Sequence, residues 1–238
     1  QRANFLQSGS FGQAFTGIRW FPDWPILEVG ARWGDHFNRG AITPSGGTVL
    51  WSNFTGTLAF TTGSPLGSSI RFTTGAVIGN DSDLQSDSLG VYRTMNSISQ
   101  IRATITLALG QTADTEIFVG LLDRTVLQVG AIGALPTTQR HAGIILDRSV
   151  SANWRRSTGD GTTQSITSSS TAADTSSHDF VITWTSGNVN FDVDTTDIGD
   201  NTANLPADTN ALGFFIIIQT EAAAAKTMDL DRVILEFS

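Results

Sequence analysis

Residues 211–238 read ALGFFIIIQTEAAAAKTMDLDRVILEFS, and their pattern decides the fold. Phe214, Phe215, Ile216, Ile217 and Ile218 form an unbroken apolar run. A run that short suits a strand buried on both faces. Beyond a polar, alanine-rich link come Met228, Leu230, Val233, Ile234, Leu235 and Phe237. Apolar and polar residues alternate from Met228 to Asp231, and Leu235 and Phe237 resume the alternation around an outward Glu236. That period of two is the mark of a half-buried strand. One central and one terminal strand require a sheet that the rest of the chain must supply. The link at 221–226 (EAAAAK) has helix-favouring composition. It is too short to stand as a helix, so it reads as an exposed connection.

The preceding segments supply the sheet. In residues 178–185 (HDFVITWT), Phe180, Ile182 and Trp184 share one face and Val181 and Thr183 the other. Ser186-Gly187-Asn188 reads as a hairpin turn into Val189, Phe191 and Val193. Residues 194–204 make a polar, Asp-rich excursion. Residues 142–146 and 152–155 read as strands paired through a turn at 147–149, and Gly159-Asp160-Gly161 as a tight turn before a strand at 162–167. Ile101, Ala103, Ile105, Leu107 and Leu109 alternate along a long strand, which a turn at 112–115 is expected to join to 117–122 as a hairpin. Residues 126–132 are another strand candidate, 79–90 (GNDSDLQSDSLG) read as a polar loop, and 48–51, 57–61 and 69–73 as short strands.

Residues 1–40 differ from the remainder. Phe11, Phe15, Trp20, Phe21 and Trp24 stand among Gly, Pro and Arg. Pro22 and Pro25 exclude a regular helix there. The segment reads as an extended N-terminal arm with short strands, ahead of a β-sandwich domain at 41–238. Its aromatics are expected to cover either the protein's own core or a neighbouring subunit. Turn signals recur about every eight to twelve residues, which marks an all-β sandwich or barrel. No fixed-period repeat points to a propeller or β-helix.

Composition narrows the function. A formal net charge of −8 with a single lysine, Lys226, argues against a nucleic-acid surface, since phosphate contacts need clustered Lys and Arg. With no cysteine, disulfides, a Cys-based zinc site and a thiol nucleophile are all excluded. No apolar stretch reaches the length of a helical membrane span.

The second half resembles a known family. An apolar strand (AGIIL) is followed by a Trp-bearing strand (ANWRRSTGDGTTQSIT), the hairpin HDFVITWTSGNVNFDVD, a Leu-Pro loop, GFFIIIQT, a small-residue link and MDLDRVILEF. Across residues 95–238 this order resembles the concanavalin A-like jelly-roll sandwich as it occurs in structural proteins of tailed bacteriophages and related viruses. The resemblance implies an antiparallel jelly-roll β-sandwich in a virion surface component, such as a head decoration protein or a tail fibre or spike domain. It also implies a homo-oligomer, trimeric for preference, in contact with other virion proteins.

The catalytic signals are sparse. His36, His141 and His178 lack metal or triad spacing, and there is no G-x-S-x-G elbow. Glycosidases on such a sandwich need two carboxylates on one concave face. The strand-borne E-x-D-x-x-E pattern is absent, and the four glutamates, Glu28, Glu116, Glu221 and Glu236, are far apart in sequence. Asp192 and Asp194 read as the solvent face of a half-buried strand. Enzymatic activity is therefore not expected. Calcium candidates are Asp81, Asp83 and Asp87, and a second set Asp194, Asp197 and Asp200, although neither matches an EF-hand loop. A sugar would need an aromatic ring and a nearby Asp or Asn. Trp154 with Asp160 is the preferred pair, because Arg155 and Arg156 suggest that Trp154 is exposed or covered by a partner; Trp184 with Asn188 is the other, but Trp184 is in phase with the core. The expected protein is thus a non-enzymatic virion component assembling through its sandwich and the aromatic arm. The alternative is a carbohydrate-binding module or lectin, with host glycans as partners.

Overall fold

The computed structural model describes residues 31–36, 51–52, 56–64, 67–86, 95, 98–123 and 139–238. They form two antiparallel sheets. The eight-stranded sheet runs β13 (Thr196–Asn201), β12 (Asn188–Val193), β11 (Ser177–Thr185), β6 (Gln100–Leu109), β15 (Thr227–Phe237), β4 (Gly67–Thr73), β3 (Thr57–Ser64), and β1 (Ala31–His36) also pairs with β15. The seven-stranded sheet runs β10 (Gln164–Ala172), β9 (Asn153–Asp160), β8 (Arg140–Asp147), β7 (Thr115–Asp123), β14 (Leu212–Thr220), β5 (Asp81–Ser86), β2 (Trp51–Ser52). The protein is an all-β sandwich. One side-chain cluster fills the space between the sheets, with Ile105, Phe180, Trp184 and Leu235 from one and Val119, Ile144, Trp154 and Ile216 from the other.

The two strands of the 211–238 stretch are as expected in kind. In β14 all nine residues are buried. Phe214, Ile216 and Ile218 join the core, while Phe215 and Ile217 join Phe118, Leu122 and Ile145 in a second apolar cluster on the outer side of the same sheet. β15 lies in the other sheet, between β6 on one edge and β4 and β1 on the other. The 221–226 link therefore crosses the sandwich. Only β15, not β14, shares a sheet with the β11–β12 hairpin.

Two expectations need correction. β6 and β7 are not a hairpin: they pair in different sheets, so residues 110–114 are an arch over the core. The physical reason is that alternation shows which residues face the core, not which side of the core a strand lies on. Residues 81–86 of the expected 79–90 loop are a strand, β5, because they complete the edge of β14 with Leu84 opposite Ile216. Residues 31–36 form β1, with Trp33 registered on Leu235. The arm residues Phe11, Phe15, Trp20, Phe21 and Trp24, the candidate strand 126–132, and Asp87 lie outside the described residues.

Candidate functional site

Antiparallel pairing brings the ends of β7, β8 and β14 together on the outer side of the seven-stranded sheet. Glu116 registers with Asp147 on one side and Gln219 on the other. One residue past β14 stands Glu221, whose N–H donates to the Asp114 carbonyl at 2.9 Å. The carboxylates of Glu116, Asp147 and Glu221 each offer an oxygen within 4.8 Å of the others. Glu116 and Asp147 are buried, Glu221 only partly, so the group opens at the rim.

The rim is built by short connections. The 148–152 loop is wound on Asp147: Val150 and Ser151 donate their N–H groups to its carbonyl, and Ser149 donates N–H and hydroxyl to Oδ1 at 3.1 and 2.6 Å. The 74–80 loop abuts the end of β14 through Gly79 N–H to the Thr220 carbonyl and Thr220 N–H to the Asn80 carbonyl. Lys226 Nζ lies 3.8 Å from Asp114. Three apolar side chains, Val77, Ile78 and Val150, are exposed on these loops.

Arg155, on the outer face of β9, donates to Asp147 Oδ2 at 3.2 Å, and both side chains are buried. Burial first, and the Asp147 charge second, push the Glu221 carboxyl above its ordinary range, against donation from Ser149. The three carboxylate oxygens are the described group able to hold a cation.

Farther along the same outer face, His141 is buried with Nδ1 3.1 Å from the Gln139 carbonyl and Nε2 2.8 Å from Ser157 Oγ. Gln164 Nε2 also donates to Ser157 Oγ, at 3.1 Å. Desolvation lowers the His141 pKa to about 4, so the ring is neutral at neutral pH. Both Ser157 and His141 are closed to solvent, which makes the pair a packed hydrogen-bonded unit with no route for a substrate.

The residues singled out from sequence fall elsewhere. Trp154 is fully buried between the sheets, edge-on to Phe180 at 4.8 Å. The flanking arginines misled: Arg155 is tied to Asp147, and Arg156 reaches across to Asn201 Oδ1 at 2.9 Å and to the Ile198 carbonyl. Asp160 stands at the opposite end of β9, about 20 Å along the strand. Its carboxylate accepts the N–H groups and hydroxyls of Thr162 and Thr163, which hold it well below the usual carboxylate range, so it is a turn anchor. Trp154 and Asp160 therefore form no common site. Trp184 is core, as its phase predicts. Asp81 and Asp83 sit on β5, Asp83 buried, and make no calcium loop. Asp194 binds His178, while Asp197 and Asp200 share Asn190, so that trio is divided as well. Glu116, Asp147, Glu221 and Arg155 had no sequence signal as a group, because strand order alone unites them.

No family model and no curated protein matches the sequence. Solved structures do share its fold. The Emp46p carbohydrate recognition domain in a potassium-bound form is 10% identical, with a TM-score of 0.56 over 78% of this chain and 88% of that one. The β-glucanase of Bacillus licheniformis is 10% identical, with a TM-score of 0.58 over 86% and 97%. A putative β-glucanase of Mycobacterium abscessus is 12% identical, with a TM-score of 0.61 over 85% and 98%.

The chain is a concanavalin A-like jelly-roll sandwich. At such identities the likeness carries the fold and no residue role. It still corrects one expectation: the exclusion of enzymatic activity is overturned, because this sandwich is shared with β-glucanases, and Glu116 and Glu221, far apart in sequence, come together here with Asp147. These neighbours are a carbohydrate recognition domain and two β-glucanases, and none is a virion protein.

Proposed function

We propose that this chain is a carbohydrate-recognition domain that meets its glycan at the loop end carrying Glu116, Asp147 and Glu221. The observation that supports this best is the convergence of three acceptor-rich carboxylates behind a rim with exposed Val77, Ile78 and Val150. Sugar hydroxyls donate to carboxylates, and the C–H faces of a pyranose meet small apolar side chains. Glu221 is the group best placed to touch a ligand, since it is only partly buried. The all-oxygen donor set also suits a hard cation such as calcium, with Glu116, Asp147 and Glu221 as its protein ligands.

A glycan array probed with the purified chain tests the reading. Binding that falls at least tenfold in Glu221→Gln, with an unchanged melting temperature, is the expected result. Binding that is equal in the variant and the parent removes the site. Repeating the assay with calcium and with a chelator separates a cation-dependent from a direct contact.

A second reading, glycan cleavage, is favoured by the pairing of a carboxyl pushed upward, Glu221, with neighbouring carboxylates within 4.8 Å. A proton-bearing acid beside an ionised partner is what glycoside hydrolysis uses. Release of reducing ends from β-glucans by the parent, lost in Glu221→Gln while binding persists, supports it. No release from any glycan that binds rejects it.

A further inference from the structure

β10 ends the seven-stranded sheet on one side, and among the described residues it has a strand neighbour, β9, on one edge only. Its register on β9 is regular from Gln164 to Ser168 and shifts beyond it. The Asp160 N–H donates to the Thr163 carbonyl at 3.2 Å, which sets the alternation of the ladder. Thr163, Ser165 and Thr167 turn their main-chain groups toward β9, so Gln164, Ile166 and Ser168 turn theirs away from it, at the open edge. The side chains of these three residues lie on the outer face of the sheet, where Gln164 reaches Ser157. Ile166 and Ser168 are exposed there. Among the described strands, Ile166 is the one large apolar side chain left exposed, at 37%.

We propose that the β10 edge pairs with the β10 edge of a second copy, antiparallel about Ile166, to give a dimer with one continuous sheet. Charge selects a second copy as the occupant. The chain carries a net charge of −8, which opposes self-association, yet residues 161–173 (GTTQSITSSSTAA) hold no charged residue. The neighbouring edge of the other sheet shows the contrast. β13, tied to β9 through Arg156 and Asn201, exposes Asp197 and Asp200, and charged edge strands resist pairing. β10 has no charge and no proline along its regular stretch. The pairing is also self-complementary, as a twofold contact must be. Ile166 meets Ile166 of the second copy, and Gln164 meets Ser168, each pair exchanging both main-chain hydrogen bonds. The two exposed isoleucines then cover one another at the axis. A centre farther along the strand would run into the irregularity past Ser168, where Ser169 Oγ donates to the Trp154 carbonyl at 2.7 Å.

The dimer gives the proposed glycan site a second function. β10 ends at Ala172, and the next N–H, of Ala173, donates to the Ala152 carbonyl at 3.0 Å. Ala152 closes the loop in which Ser149 holds Asp147, so the glycan end lies at the C-terminal end of β10. Antiparallel pairing points those two ends in opposite directions. Two glycan sites at opposite poles make the dimer a cross-linker of glycan-bearing surfaces. That consequence rests on the proposed glycan site, whereas the pairing does not.

Sedimentation of the full chain at increasing concentration tests the pairing. One short strand on each side is a small interface, so a dissociation constant on the order of 10 μM is expected. Ile166→Lys sets two like charges against each other at the axis and should weaken the dimer about tenfold or more. The melting temperature of the dilute variant should match the parent, because the main chain of Ile166 faces away from β9. The chain has no cysteine, so single cysteines report the register. Directly opposed residues stand about 5.5 Å apart, within disulfide reach, and Ile166→Cys should cross-link to a dimer on mild oxidation. Ser168→Cys, about 14 Å from its counterpart along the strands, should not. A chain that stays monomeric at about ten times the expected dissociation constant overturns the pairing. So does a dimer that Ile166→Lys leaves intact, or a Ser168→Cys that cross-links as readily as Ile166→Cys. Glycan-coated beads should be clumped by the parent and not by Ile166→Lys, at equal binding to each bead; beads that bind both and clump with neither overturn the cross-linking. A dimer that binds no glycan removes the site reading and leaves the pairing standing.

Discussion

The outer faces of the two sheets are built from similar strands and could hardly be less alike. On the eight-stranded sheet, β11 alternates buried and partly exposed residues, and its face carries ion pairs: Arg71–Asp229, Arg102–Glu236 and Arg232–Asp179. On the seven-stranded sheet, β7 and β14 are buried throughout. Their outer face holds the apolar cluster of Phe118, Leu122, Ile145, Phe215 and Ile217, with Asp83 of β5 registered on Ile217 beside it, and Glu116, Asp147, Arg155 and Glu221 meet at one end. One face is solvated and electrostatically closed on itself. The other is mostly apolar and gathers three carboxylates at its rim. Exposed ion pairs stabilise little, whereas a partly desolvated carboxyl such as Glu221 is available to a ligand.

The sharpest test compares apolar truncations. Phe118→Ala should cost about 3–5 kcal/mol in denaturant unfolding, as for a core phenylalanine. Val181→Ala, on the solvated face, should cost about 1 kcal/mol or less. Similar losses would mean that the two faces are equally buried in solution.

Charge removal should separate the faces almost as widely. Arg155→Ala removes the buried cationic partner of the buried Asp147 carboxylate and should cost about 3–5 kcal/mol. Arg102→Ala removes an exposed partner of Glu236 and should cost about 1 kcal/mol or less. A cheap Arg155→Ala would show that the acidic cluster is stabilised without it.

The pH dependence comes from His141 on the mostly apolar face. Its pKa is lowered from 6.5 to about 4 by desolvation. The unfolded chain therefore takes up a proton first as pH falls. The His141 contribution is full above about pH 6.5 and disappears as pH drops through about 4, and its size is on the order of 3 kcal/mol. Unfolding curves of the parent and His141→Gln should converge over that window. Parallel curves would place His141 in contact with water.

Gly143→Ala should cost less than Phe118→Ala or Arg155→Ala. Its added methyl would meet the Phe118 ring within 2.3 Å and the Val119 carbonyl at 2.9 Å. A loss of about 1–3 kcal/mol is expected, as for an overpacked core. An unchanged melting temperature would mean that Phe118 swings away, and that the apolar cluster is loosely packed.

Much of this contrast was visible in the amino-acid order. The continuous run at 214–218 foretold a strand buried on two sides, and HDFVITWT put Phe180, Ile182 and Trp184 on one face and Val181 and Thr183 on the other. The core phase of Phe180, Ile182 and Trp184 was read directly. Trp154 was misread because its arginine neighbours suggested water, while each found a partner inside the fold. The site was illegible for a different reason. Glu116, Asp147 and Glu221 stand at strand ends without shared spacing, and each alone looks like a turn residue.

The sequence by itself determined most of the strands, their buried faces and hence an all-β sandwich or barrel, because period-two burial is a local property of the chain; β5 and β13 stayed hidden in polar stretches. Only the tertiary structure decided which strands neighbour one another. It put β6 and β7, and likewise β14 and β15, in opposite sheets, set β7 between β8 and β14, and so placed three carboxylates and one arginine at a single rim. Strand order is fixed by the packing of two whole sheets around one core, and no short stretch of residues carries that information.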